Sequence, residues 1–319
     1  MATRRKFGKR LVRLVLPVLA ILLAIIAVAL GSIVYGISRP PQRSYLVTPA
    51  TFASISRNAV ALKVTDETWR NRDGTGARGW LLRGSEGAPA VILLHKYGGN
   101  RSFVLNLGMK INEASGCTVL WPDLRGHGLN PPVKWSSLGG REGDDLLAAV
   151  DFLRTLKNSD RRIVGDRIGV YGVEVGAYAA LRAAAIDPSI QVLALDSVPG
   201  SQNDLIDAAV RNQIGVKTNI AVVPARFAAR LYLFRSYDNK SSCELAKGLG
   251  SRQVMLLAGA DISYLQESTK ALARCFPNSE NLETRTDLPL TGYSLPSATG
   301  EQGENYDRPV IDFFLKNLH

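Results

Sequence analysis

The stretch Arg167-Ile168-Gly169-Val170-Tyr171-Gly172-Val173-Glu174-Val175-Gly176-Ala177-Tyr178-Ala179-Ala180-Leu181 decides the architecture. Its first five residues read as a strand entering a core. From Ala177 to Ala185 the chain is rich in alanine, the strongest helix former. Between the two, Gly172 and Gly176 bracket Glu174. Glycines in those places allow a sharp strand-to-helix turn that pushes the central side chain into the open above the sheet. A carboxylate therefore stands where the strand ends.

The same alternation continues outward. Residues 61–68 and 77–82 flank the turn signal Arg72-Asp73-Gly74-Thr75-Gly76 and predict a hairpin. Residues 90–95 (AVILLH) and 118–122 suit buried parallel strands, with a helix expected over 101–114. Another helix is expected over 143–156, where Asp144 and Asp145 fall in the first turn and suit the helix dipole. Beyond the central turn come a strand over 192–196, mostly helical residues over 203–235, a strand over 254–258 and a helix over 263–275. A last strand over 281–286 and a closing helix over 305–318 complete the pattern. Strands alternating with helices imply an α/β fold, a mostly parallel central sheet covered by helices on both faces.

The net charge is +11. Arg4, Arg5, Lys6, Lys9, Arg10, Arg13, Arg39 and Arg43 all lie within residues 1–43, where there is no acid; without those eight the chain carries +3. The basic character belongs to the N-terminal flank, and no helix-turn-helix, zinc-finger or RNP-like run is present, so nucleic acid is not an expected partner. Residues 14–37 form an uncharged apolar run, about 36 Å long as a helix and sufficient for a bilayer core of about 30 Å. Six Lys/Arg precede the run and two follow it. The positive-inside rule then puts the N-terminus in the cytoplasm and the large C-terminal part outside it, as a single-pass membrane protein. A cleaved signal peptide is the competing reading; against it, the run is long for an h-region and no clear A-x-A site follows. The expected layout is a basic tail at 1–13, a transmembrane helix at 14–37, a stiff proline-containing linker at 38–59 and one α/β domain at 60–319, with a small cap-like helical insertion at about 200–240.

Cys117 lies in the run CTVLW and reads as a buried strand thiol. Cys243 and Cys275 pair if the domain sits in an oxidising compartment and are otherwise separate thiols. There is no CxxC or CxxH, and no metal or cofactor is expected.

Three motifs, in order, give a resemblance to the α/β-hydrolase superfamily over roughly residues 60–319. Leu93-Leu94-His95-Lys96-Tyr97-Gly98-Gly99-Asn100-Arg101 resembles the family's HG loop, with Lys96 in place of the glycine. Asp123-Leu124-Arg125-Gly126-His127-Gly128 resembles its DxRGHGxS stretch, with Asn130 where serine is frequent. Gly172-Val173-Glu174-Val175-Gly176 resembles the nucleophile elbow G-x-S-x-G, with Glu174 in place of serine. The resemblance implies a triad and an oxyanion hole. Glu174 would take the nucleophile position, Asp261 the acid position and Tyr293 the histidine position. Lys96, Tyr97 and Val175 would form the oxyanion loop, and His127 would tie loops together. His319, the only other histidine besides His95, lies beyond the closing helix. Tyrosine, with an ordinary pKa near 10, is a poor general base at neutral pH.

Three functional readings follow. The first is a catalytically degenerate hydrolase fold, held at a membrane and binding a small ligand or a protein partner, with serine-hydrolase activity weak or absent. The second is an active hydrolase with non-standard chemistry centred on Glu174. The third is a membrane-surface interaction module, in which the insertion, with Arg211, Lys217, Arg226, Arg230 and Arg235 among apolar residues, leans on lipid or a partner.

Overall fold

In the computed structural model all residues are described except Met1, Asn58, Ser159, Val216, Lys217, Thr218, Asn239 and His319; side chains of residues 2–12, Asn219 and Ile220 are also outside the description. Lys217, His319 and the basic side chains before Arg13 thus lie outside it. Two units are distinguished: Met1–Ile37 with Ile206–Phe234, and Ser38–Leu205 with Arg235–His319.

The larger unit is built on eight strands: β1 (Thr65–Arg70), β2 (Gly76–Leu82), β3 (Ala88–Leu94), β4 (Thr118–Pro122), β7 (Val164–Val173), β8 (Ile190–Asp196), β9 (Gln253–Gly259) and β10 (Leu282–Leu288); β5 (Lys157–Asn158) and β6 (Arg161–Arg162) form a separate small hairpin. The sheet order is β1-β2-β4-β3-β7-β8-β9-β10. The β1–β2 and β2–β4 pairs are antiparallel and the rest are parallel. Central strands such as β3 and β7 are buried along consecutive residues, as a sheet covered on both faces requires.

The helices α3 (Leu105–Ser115) and α10 (Gly300–Leu318) pack together over one face. There Trp121, Tyr171, Tyr306 and Phe314 share a core with Leu93 and Val173. On the other face α4 (Glu142–Thr155) lies against α5 (Val175–Ala184). Fully burying one such large side chain contributes about 1.5–3 kcal/mol, so these faces hold most of the folding energy.

Some boundaries differ from those read in the sequence. Residues Ala59–Lys63 form a 3-10 turn, and β1 starts only at Thr65. Ala61 is fully buried in that turn, so the apolar residues there serve a turn, whereas β1 is an edge strand with little buried surface. The closing helix begins at Gly300 and runs through Pro309. The linker region contains a helix of its own, α2 (Pro49–Ser56), capped by Thr48, whose side chain accepts from the Thr51 amide at 3.2 Å. Before it, the chain is tied to the sheet domain. Ser136 N–H donates to the Ser38 carbonyl at 2.7 Å, Leu46 N–H to Ser102 Oγ at 3.0 Å, and Tyr45 OH to Asp123 at 2.9 Å.

Cys243, in α8 (Ser242–Lys247), is disulfide-bonded to Cys275, just past α9 (Ser263–Ala273), with Cα atoms 5.2 Å apart. Cys117 is a buried free thiol.

The smaller unit holds α1 (Ala2–Ile37), most of α6 (Gln202–Ile214) and α7 (Asn219–Tyr232). Within α1, Arg13–Ile37 is long and apolar enough to cross a membrane.

Candidate active site

β7 delivers the site. Its last residue, Val173, runs into Glu174, and α5 starts at the next residue. Glu174 has φ 54° and ψ −109°, a conformation costing a non-glycine residue of order 1–3 kcal/mol. Its amide donates to the Asp196 carbonyl at 3.0 Å, which pins the turn to β8. The flanking glycines are steric necessities. A Cβ on Gly172 would lie 2.6 Å from the Gly176 backbone, and one on Gly176 would lie 2.7 Å from the Leu94 carbonyl oxygen. β3, β7 and α5 therefore meet with no room for a methyl group, and the central side chain is forced upward.

The Glu174 carboxylate is buried and closely held. Oε2 accepts the Tyr97 amide at 2.8 Å. The Val175 amide is near enough to the carboxylate to lower its pKa. Oε1 accepts the Tyr293 hydroxyl. The Lys96 ammonium lies 3.9 Å from the centroid of the Tyr293 ring. Burial raises the Glu174 pKa above its ordinary value; the Tyr293, Tyr97, Lys96 and Val175 interactions offset only part of that. Burial lowers the Lys96 pKa, with Glu174 opposing. Burial, then the Glu174 charge, pushes the Tyr293 pKa far above its ordinary value. Tyr293 is thus a neutral hydrogen-bond donor and not a general base.

Five of the residues singled out in the sequence meet here: Glu174, Tyr293, Lys96, Tyr97 and Val175. Asp261 is placed differently. Its carboxylate accepts the Thr291 amide at 2.8 Å and the Ser294 hydroxyl at 2.7 Å, so it holds the backbone of the loop that carries Tyr293. A second acid, Asp196 at the end of β8, holds the same loop. It accepts the Gly292 amide at 2.9 Å and the Tyr306 hydroxyl at 2.6 Å, and Tyr306 in turn meets Tyr171 at 2.8 Å. Burial raises the Asp196 pKa to about 6. The sequence reading passed over Asp196, although an acid closing the apolar run VLALD was a visible signal. Tyr306 had none. Tyr264, at the start of α9, is near enough for the Glu174 charge to add to the burial that raises its pKa.

His95 and His127 serve the loops. His127 Nε2 accepts the Gly98 amide at 3.0 Å, and Nδ1 lies 2.8 Å from the Arg125 carbonyl. His95 Nε2 accepts the Leu124 amide at 3.1 Å, and Nδ1 lies 2.8 Å from the Lys96 carbonyl. Each ring is therefore neutral with its proton on Nδ1. Burial lowers their pKa values to about 3 and about 4 respectively.

Superposition on the esterase Pf2001 of Pyrococcus furiosus gives a TM-score of 0.62 at 19% identity, over 88% of this chain and 98% of that one. The α/β hydrolase GrgF of a Penicillium species aligns with a TM-score of 0.52 at 15% identity, over 80% of this chain and 99% of that one. The chain has the α/β-hydrolase fold. In sequence, the thiohydrolase apmlB of Arthrinium phaeospermum is 24% identical over 155 residues, 46% of this chain and 49% of that protein. The match thus spans about half the length of that relative. No protein-family model matches the chain. Glu174 stands at the strand-to-helix turn between β7 and α5 of this fold.

Proposed function

We propose that this is a membrane-tethered α/β-hydrolase-fold protein whose catalytic centre is degenerate and whose outer domain acts as a binding scaffold for a small ligand or a protein partner. One observation carries the reading: the Tyr97 amide, one of the donors that would cradle an acyl oxygen, is engaged by the protein's own Glu174 carboxylate at 2.8 Å. An oxyanion hole works because its donors are vacant until charge develops on the substrate. Here the Glu174 carboxylate occupies the Tyr97 donor and Tyr293 closes over it, and among the described residues no imidazole is bonded to either side chain. The esterase and thiohydrolase relatives make acyl hydrolysis the activity to assay. The test is treatment of the full-length protein, in detergent or vesicles, with a fluorophosphonate probe, p-nitrophenyl esters and acyl thioesters. We expect no covalent labelling and no turnover above the protein-free rate. Saturable turnover would overturn the reading.

The second reading, a hydrolase centred on Glu174, draws support from the retained strain at φ 54° and the raised carboxyl pKa, both features of working sites. It requires turnover that disappears in Glu174→Gln.

We further propose that α1 is an uncleaved signal anchor with the N-terminus in the cytoplasm and the domain outside. The basic residues ahead of the span and the Cys243–Cys275 disulfide, a bond typical of oxidising compartments, both support that orientation. Protease added to intact cells should digest the domain and spare the N-terminal tail; the reverse pattern would invert the topology.

A further inference from the structure

α7 has apolar residues on two faces. Val222, Ala225 and Ala229 are fully buried, and Leu233, just past the helix end, is 4% exposed. On a neighbouring face Val223, Phe227 and Leu231 recur at every fourth position, 56%, 64% and 63% exposed. Residues four apart lie on one side of a helix. Tyr232 and Phe234 extend this exposed surface. One apolar face suffices to seat a helix on a globular protein, so the second requires another apolar surrounding.

α1, in the same unit, indicates what that surrounding is. Its large apolar side chains from Leu14 to Val28 are all exposed. A bilayer core of about 30 Å takes about 20 helical residues, so a span entering at Leu14 leaves at about residue 33. That is where packing begins. Between Arg13 and Ile37 only Leu30, Ile33, Val34, Gly36 and Ile37 are withdrawn from the surface. A Cβ on Gly36 would lie 2.1 Å from the Gln213 side chain of α6. α7 packs on α1 within this unit, and these last turns are the buried part of α1 available to it. Tyr35, about half exposed, sits at the same level.

We propose that α7 is an interfacial helix that lays its Val223/Phe227/Leu231 face into the bilayer surface beside the point where α1 leaves it. This rests on reading α1 as a membrane span. The occupant of the exposed face is lipid at the boundary of the hydrocarbon core, where aromatic side chains such as those of Tyr35, Phe227, Tyr232 and Phe234 concentrate. The exposed face is continuous in kind with the lipid-facing surface of α1. Arg226 is bonded to Asp207 within the same unit, and the attraction proposed here is that of the apolar face.

The test uses the full chain in vesicles of zwitterionic phosphatidylcholine. Cys117 is buried and the other two cysteines are paired, so an introduced thiol is the one that takes a fluorophore. Labels are placed at Phe227→Cys and Leu231→Cys, with Ile21→Cys as a control in α1 and Asp166→Cys as a control on the water-exposed sheet domain. All four positions are exposed in the protein, so folding is preserved. Labels at 227 and 231 are expected to be quenched by doxyl lipid at least about three-fold more than at 166, and by aqueous iodide correspondingly less, unchanged in 1 M salt. Iodide quenching at 227 and 231 equal to that at 166, with 21 still reached by doxyl lipid, would overturn the inference and leave the span intact. Iodide access at 21 as well would overturn the span reading itself. Shielding at 227 that vanishes when protein is diluted ten-fold in lipid would assign the face to a second copy of the chain, and would also overturn the inference.

Discussion

A methyl group added at Gly176 would sit 2.7 Å from the Leu94 carbonyl oxygen and 2.8 Å from that of His95, atoms that cannot rotate away. Gly176→Ala is therefore expected to cost at least about 1–3 kcal/mol, read as a lower urea midpoint at unchanged slope. An unchanged midpoint would mean that β3 and α5 are not in contact there. Glu174→Ser with Tyr293→His frees the Tyr97 amide and supplies an imidazole. The double variant should gain fluorophosphonate labelling and weak esterase activity that the parent lacks; a double variant no more reactive than the parent would count against an inherited elbow. Asp196 yields a pH test. Its folded-state pKa of about 6 lies above the ordinary 3.8, so it stabilises the fold fully below pH 3.8 and loses that contribution as pH rises through 6. Asp196→Asn does not titrate. The stability of wild type minus that of the variant should grow by up to about 3 kcal/mol between pH 7 and pH 4; a constant difference would place Asp196 in a more polar setting. Glu174 and Tyr293 were legible because motif and spacing mark them. Their mutual hydrogen bond was not, since nothing in the chain states that a carboxylate one methylene longer than aspartate folds back onto the Tyr97 amide.

Among the elements, the disulfide ties α8 to the end of α9 across a separation of 32 residues. Closing a loop of that size constrains the unfolded chain by about 3–4 kcal/mol in the entropic treatment. Cys243→Ser should lower stability by about that much under non-reducing conditions, and reduction of the wild type should reproduce the loss. No change on reduction would show that the pair is not formed. Element types were readable at the centre of the sheet because burial on both faces leaves near-continuous apolar runs, as at β3 and β4. Boundaries failed where the pattern had another cause. Ala61 is buried by a 3-10 turn, and the start of α10, Gly300–Glu304, is polar and gives no periodic signal. The ties of residues 38–46 to the sheet domain escaped the sequence because those of Ser38 and Leu46 use backbone groups and that of Tyr45 reaches Asp123, 78 residues away. Pairing Cys243 with Cys275 likewise depends on how α8 and α9 fold, which spacing does not reveal.

For the whole molecule, charge and hydropathy divide the chain more sharply than composition does. Eight positive charges flank one apolar run, and the remainder is close to neutral. Full-length protein should resist extraction from membranes by alkaline carbonate and high salt alike, because about 20 apolar residues in the bilayer are not held by charge; release by carbonate would argue for peripheral attachment. The α/β-hydrolase fold was legible at this scale from three motifs in order. The proposed loss of its chemistry rests on one carboxylate and the Tyr97 amide it occupies. The most direct measurement is the Tyr97 amide proton resonance of the full-length protein in nanodiscs, compared with Glu174→Ala. A carboxylate bonded at 2.8 Å should place it well downfield, and the substitution should return it upfield. The same resonance position in both proteins would mean that the oxyanion donors are vacant and the site is open to substrate.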